Sequence, residues 1–200
     1  MFEMAAWYAH AEDSDIPFFA QDEKYFKKYE LDIRSMYSEG IVTNSINRVA
    51  IHVRRAKNPT NPLEPVYSEN NFYVNLGDPL GQDIKNNYYL RAMKMFPNEN
   101  FTVFSDDIKW CKESILFQDP VQDNEYIPIS RFEFSEGKNE LEDLNFMASH
   151  KSHIIANSSF SWWAAYLGQH QAQIVIAPKK WFSDETNEKL IGIPKNWIRI

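Results

Sequence analysis

The chain has 200 residues, 44% of them hydrophobic and 15% aromatic, which supports one substantial core or two small lobes and excludes a disordered chain. Lys and Arg total 21 against 28 Asp and Glu, a net charge of −7, which argues against sequence-independent nucleic-acid binding because that rests on neutralising phosphates. An anionic ligand must be held by a local basic cluster rather than by the overall field.

The first residues, Met1 to His10, lack the basic start and unbroken apolar centre of a signal peptide. Apolar positions 2, 4, 5, 8 and 9 suit an amphipathic helix that begins without a cap, so upstream sequence is expected. Asp22 to about Ser38 repeats in a helical pattern with Gly40 as its stop. Val49–Val53 reads as a strand. Between residues 57 and 83, prolines 59, 62, 65 and 79 with Gly77 and Gly81 predict a long loop, of the kind that serves as a lid or binding loop.

A regular alternation follows. Helices are predicted over Tyr88–Phe96, Asp107–Leu116, Glu140–His150 and Phe160–Gln169. Strands are predicted over Phe101–Phe104, His153–Ala156 and Gln173–Ala177, with a weaker one at Tyr126–Ile129 whose Pro128 suits an edge. With residues 49–53 this makes five strands, an α/β arrangement with a parallel sheet and helices on both faces. No apolar run reaches the roughly 18 residues of a membrane span. Cys111 is the single cysteine, so an internal disulfide is excluded and no metal-ligand spacing is present.

In such sheets ligands sit beyond the carboxyl ends of the strands, and three polar clusters fall there. His52-Val53-Arg54-Arg55 closes the first strand. Period two puts His52 and Arg54 on one face and Arg55 on the other, and guanidinium forks suit phosphate; ordinary surface charge is the plainer reading. His52 on its own reads as a hydrogen-bonded structural residue rather than a base. Phe104-Ser105-Asp106-Asp107 runs from a strand into a helix, where Ser105 or Asp106 can cap. A second carboxylate could meet guanine donors or sugar hydroxyls. Asn157-Ser158-Ser159-Phe160 turns from a strand into a helix start, which is either a plain cap or an anion-binding end with Phe160 available to stack on a base. Trp162 and Trp163 read as core, since adjacent helical positions cannot both face one ligand.

Together His52–Arg55, Phe104–Asp107 with Trp110, Asn157–Trp163, Ile174–Phe182 and Ile193–Trp197 resemble the glycosyltransferase family that includes the bacterial α-1,2-fucosyltransferases, also called glycosyltransferase family 11. Met1–Ala6 resembles the end of the family's opening Gly-Asn-Gln-Met-Phe motif. The resemblance implies a Rossmann-like, GT-B-type fold with a reduced N-terminal lobe: residues 1–48 a helical remnant of the acceptor side, residues 49–200 the GDP-sugar-binding domain. It implies an inverting enzyme, a galactoside 2-α-L-fucosyltransferase, moving fucose from GDP-fucose to the 2-hydroxyl of a galactose-type glycan. No metal and no resident cofactor are expected.

By the same resemblance Arg54 and His52 would be the catalytic residues, Arg54 contacting the GDP phosphates with Arg55 in support and His52 shaping that pocket. Asp106 or Asp107 would face the guanosine, with Ser105, Asn157, Ser158, Ser159 and Phe160 lining the nucleotide site. A cytoplasmic location with peripheral association at the inner membrane face goes with it. Ala56-Lys57 departs from the family's Gly-Asp, and the segments Ile16–Phe19 and Gln21–Phe26 lie unusually close together. These departures motivate two alternatives: a nucleotide- or sugar-binding remnant without catalysis, and a transferase using another GDP-sugar.

Overall fold

Val49 to Val53 are all buried, as a strand covered on both faces requires. In the computed structural model the residues described are 35, 46–55, 76, 87–117, 121–122, 125–168, 170–182, 185–189 and 191–200. The amphipathic start and most of the second helical pattern therefore lie outside the described residues. So do Ala56, Lys57 and nearly all of the proline-rich loop.

The strands are β1 (Ile46–Val53), β2 (Phe101–Ser105), β3 (Val121–Gln122), β4 (Glu125–Tyr126), β5 (Phe132–Phe134), β6 (His150–Ile154), β7 (Val175–Ala177) and β8 (Ile198–Arg199). The helices are α1 (Tyr88–Lys94), α2 (Ile108–Glu113), α3 (Glu140–Ala148), α4 (Ser159–Gly168) and α5 (Glu185–Glu188). Six strands form one sheet in the order β5-β2-β1-β6-β7-β8, and every neighbouring pair is parallel. The order grows outward from β1 through β2 to β5, then returns to β6 on the other side. It is the doubly wound arrangement, with its reversal between β1 and β6.

The five-strand expectation is corrected at three points. The segment at Tyr126–Ile129 is not a sheet strand: Glu125–Tyr126 pairs antiparallel with Val121–Gln122, and Pro128 precedes a 3-10 turn over Ile129–Arg131. The edge strand is Phe132–Phe134, beside β2. A sixth strand, Ile198–Arg199, closes the opposite edge. The central strand also starts at Ile46 rather than Val49.

Period-two alternation sorts the core into two layers. Val49, Ile51, Val53, Phe101 and Val103 pack with the buried side of α1 and with Cys111 of α2. Ala50, Phe104, Val175 and Ala177 pack with α3 and α4. Trp162 and Trp163 are fully buried in that second layer, Trp162 stacked on Tyr166 and donating to the Gly192 carbonyl at 3.0 Å. Helices thus cover both faces. Asn139 and Glu142 form a reciprocal capping box at the start of α3.

The other end of α3 is closed by imidazoles. A ring nitrogen of His150, His153 and His170 lies 2.8, 2.9 and 3.0 Å from the carbonyls of Phe146, Met147 and Ala148. These are carbonyls that a helix C-terminus leaves unpaired. The Gln173 amide donates to the second nitrogen of His153, which makes that ring a neutral tautomer, and the Thr102 hydroxyl lies 2.9 Å from the second nitrogen of His150. Burial agrees, holding His150 at about 4 and His153 at about 3.

Candidate functional site

The ends of β1 and β6 meet at the reversal point. His52 faces the α4 layer, and its ring centroid is 5.1 Å from that of Phe160 in the first turn of α4. Its Nδ1 is buried and has no protein hydrogen-bond partner. Burial lowers His52 to about 4; Asp106 opposes that shift and Arg54 adds to it. The imidazole is therefore neutral near pH 7, able to donate through one nitrogen and accept through the other. Buried unpaired polar groups are rare in folded proteins; among the described residues His52 Nδ1 is one of five such atoms, and it lies at the end of β1.

The two arginines part company as the strand period requires. Arg55 turns to the α2 layer, buried, with its guanidinium 4.0 Å from the Trp110 ring centroid and 3.3 Å from Asp107. Arg54 is half exposed and pairs with Asp106 at 3.0 Å. The other oxygen of Asp106 accepts from the backbone N–H of Arg55 at 2.9 Å, locking the end of β1 to the end of β2. Asp107, rather than Ser105 or Asp106, caps α2, accepting from the Trp110 amide while Ser105 Oγ accepts from the Asp107 amide. Arg54, Arg55, Asp106 and Asp107 thus form one charge-balanced cluster across two strand ends. Cys111, beneath it, is pushed up to about 12 by burial and is an inert thiol at neutral pH.

Asn157 is buried and donates to the Trp181 carbonyl at 3.1 Å, tying the β6 end to the segment after β7. Ser158, Ser159 and Phe160 are partly exposed at the start of α4, whose ten residues orient their amides toward the same edge. On the opposite face the Tyr88 hydroxyl lies 2.7 and 3.0 Å from the carbonyls of Ile155 and Ile176, pinning the ends of β6 and β7 to α1. Among the described residues, His52, Arg54, Arg55, Ser105, Asp106, Asp107 and Asn157 to Phe160 therefore lie at one edge of the sheet. The rigid partners Tyr88, Trp110 and Trp181 complete it. Among the described residues no group of three or more His, Cys, Asp or Glu side chains could hold a metal ion, and no helix is long and apolar enough to cross a membrane.

A doubly wound parallel sheet with charged and hydroxyl groups at its reversal point defines an α/β domain of the class that binds ligands at that edge. Within that class, the chain belongs to glycosyl transferase family 11, whose model matches residues 6–200. It is 32% identical over 198 residues to an α-1,2-colitosyltransferase of Escherichia coli, an alignment covering 91% of this chain and 61% of that protein. It is 29% identical over 164 residues to the O-antigen biosynthesis glycosyltransferase WbnK of Escherichia coli, covering 80% of this chain and 47% of that protein. The chain thus spans about half to three fifths of the length of these curated relatives. No solved structure matches it at a significant level.

Proposed function

We propose that this chain is the donor-binding half of a GT-B-type inverting glycosyltransferase that takes a fucose-type sugar from a GDP carrier and transfers it to a 2-hydroxyl of a galactose-type glycan. The observation that carries the reading is the convergence at the β1–β6 reversal: Arg54, the unpaired Nδ1 of His52, Phe160 and the amide end of α4 border one edge. In the reaction the acceptor hydroxyl oxygen attacks the anomeric carbon and its proton is given up to solvent, the bond from that carbon to the β-phosphate oxygen breaks, and charge builds on the departing GDP. Preorganised cationic and N–H donors lower that barrier most. Arg54 is the exposed cation of the set and would exchange Asp106 for the diphosphate, while Arg55 stays in its buried pair and holds the strand end. Ser105, Asp106 and Asp107 border the guanosine side, and Asn157 to Phe160 the opposite side.

His52 serves here as a neutral hydrogen-bonding group. A base whose conjugate acid titrates near 4 is too weak to draw a proton from an alcohol efficiently. The basic side chains and the start of α4 supply what a metal would otherwise provide to the leaving group. The relative's colitosyl specificity makes the donor sugar the open variable: GDP-fucose and GDP-colitose are the two to compare. Incubation of each with β-galactosides and linkage analysis of the products tests the reading, with transfer to the 2-hydroxyl as the expected result. No transfer from either donor, together with retained GDP binding, would favour the non-catalytic alternative. A membrane-peripheral, cytoplasmic setting is the location this chemistry suits.

A further inference from the structure

The segment leaving the carboxyl end of β7, residues 178–182, is gripped by side chains with no part in the site as described so far. Glu188 Oε2 accepts from the backbone N–H of Trp181 at 2.7 Å and of Phe182 at 2.9 Å. Its Oε1 accepts from Arg199 Nη2 at 2.8 Å. Arg199, on β8, also donates to the carbonyls of Pro178 and Lys179. The Trp181 carbonyl in turn receives the Asn157 amide N–H. A line of hydrogen bonds therefore runs Arg199–Glu188–Trp181–Asn157, from the sheet edge to the turn that opens α4.

Glu188 is the last residue of the one-turn helix α5, a position where a carboxylate opposes the helix dipole. Its placement is explained by the two amides and the guanidinium it receives, all charge-assisted bonds. Trp181 is fully buried and packs in the α3–α4 layer, so the carbonyl it offers Asn157 is held from behind.

We infer that Glu188 is a positioning residue for donor binding. It fixes the Trp181 carbonyl, that carbonyl fixes the Asn157 side chain, and Asn157 sets the turn from which Ser158, Ser159 and Phe160 are presented. The inference rests on the donor-site reading of the α4 start. Glu188→Ala removes both acceptors. Glu188→Gln keeps a carbonyl oxygen for the two amides and loses only the pairing with Arg199.

Hydrogen exchange of the ligand-free chain, GDP calorimetry and donor kinetics test it together. Glu188→Ala should speed exchange at residues 181–182 and also at 157–160, leaving β1 and β2 unchanged. GDP affinity should fall, and donor KM rise, by about tenfold with kcat altered far less, the signature of lost binding rather than lost chemistry. Glu188→Gln should restore most of both. Unchanged exchange at 157–160 in Glu188→Ala, or equal GDP affinity in all three proteins, would overturn the coupling. Absence of GDP binding by the unaltered chain would count against the donor reading alone, and the exchange pattern would then decide the Glu188–Asn157 link by itself.

Discussion

The imidazole of His52 and the ring of Phe160 lie 5.1 Å apart, centroid to centroid, across the line where the sheet reverses its order. One belongs to the end of β1 and the other to the first turn of α4. Their contact joins the two halves of the sheet at the edge where a doubly wound fold binds its ligand.

The adjacent arginines should respond oppositely to removal. Arg55→Ala strands Asp107 in a nearly buried position without its partner and strips the guanidinium from Trp110, a loss of about 3–5 kcal/mol. Arg54→Ala breaks a half-exposed pair and should alter stability by about 0–1 kcal/mol. Its effect should instead appear in GDP affinity, about tenfold or more if it makes a charge-assisted bond to phosphate. Urea titration and calorimetry on both variants check this. Equal destabilisation by the two would contradict the division of roles.

Acid should unfold the protein through its histidines. His52 and His150 titrate at about 4 and His153 at about 3 in the native state, against 6.5 in an unfolded chain. Above pH 6.5 both states are neutral and the contribution of the neutral rings is fully present. As pH falls from 6.5 toward 4 the unfolded chain binds protons that the native state does not, so stability falls by up to about 1.4 kcal/mol per pH unit for each ring. Urea midpoints measured between pH 7.5 and 5 should decline, and less steeply in His150→Gln. A variant slope equal to that of the parent would reject the assignment.

Gly168→Ala should destabilise, although alanine is ordinarily the better helix former by about 1 kcal/mol. A Cβ at position 168 would stand 2.5 Å from the Ala148 carbonyl oxygen, a backbone atom that also receives the His170 ring. Relief requires α3 and α4 to separate, at about 1–3 kcal/mol. A thermal melt at or above that of the parent would show that the helices can give way freely.

Much of this was legible in the sequence, for definable reasons. Val49–Val53, Phe101–Phe104 and the helices after them carry strong local periodicity, and Trp162-Trp163 sits in an unbroken apolar turn. The alternation of His52 and Arg55 between faces follows from strand geometry alone. Other features are set by distant partners. Ile198–Arg199 is two exposed residues with no pattern, a strand only because β7 lies beside it. Phe132–Phe134 alternates correctly but is too short to outcompete the apolar run before it. That Asp106 takes Arg54 and the Arg55 amide, leaving Asp107 to cap, depends on contacts about 50 residues apart. Glu188 carries no local signal, because its partners are backbone amides and a strand at the far edge.

The most direct test is a crystal structure of the chain with GDP bound. The diphosphate should lie between the Arg54 guanidinium, released from Asp106, and the amides of Ser158 and Ser159, with the base near Phe160 or the Asp106–Asp107 end. GDP bound elsewhere, with Arg54 still paired to Asp106 and His52 Nδ1 untouched, would contradict the account.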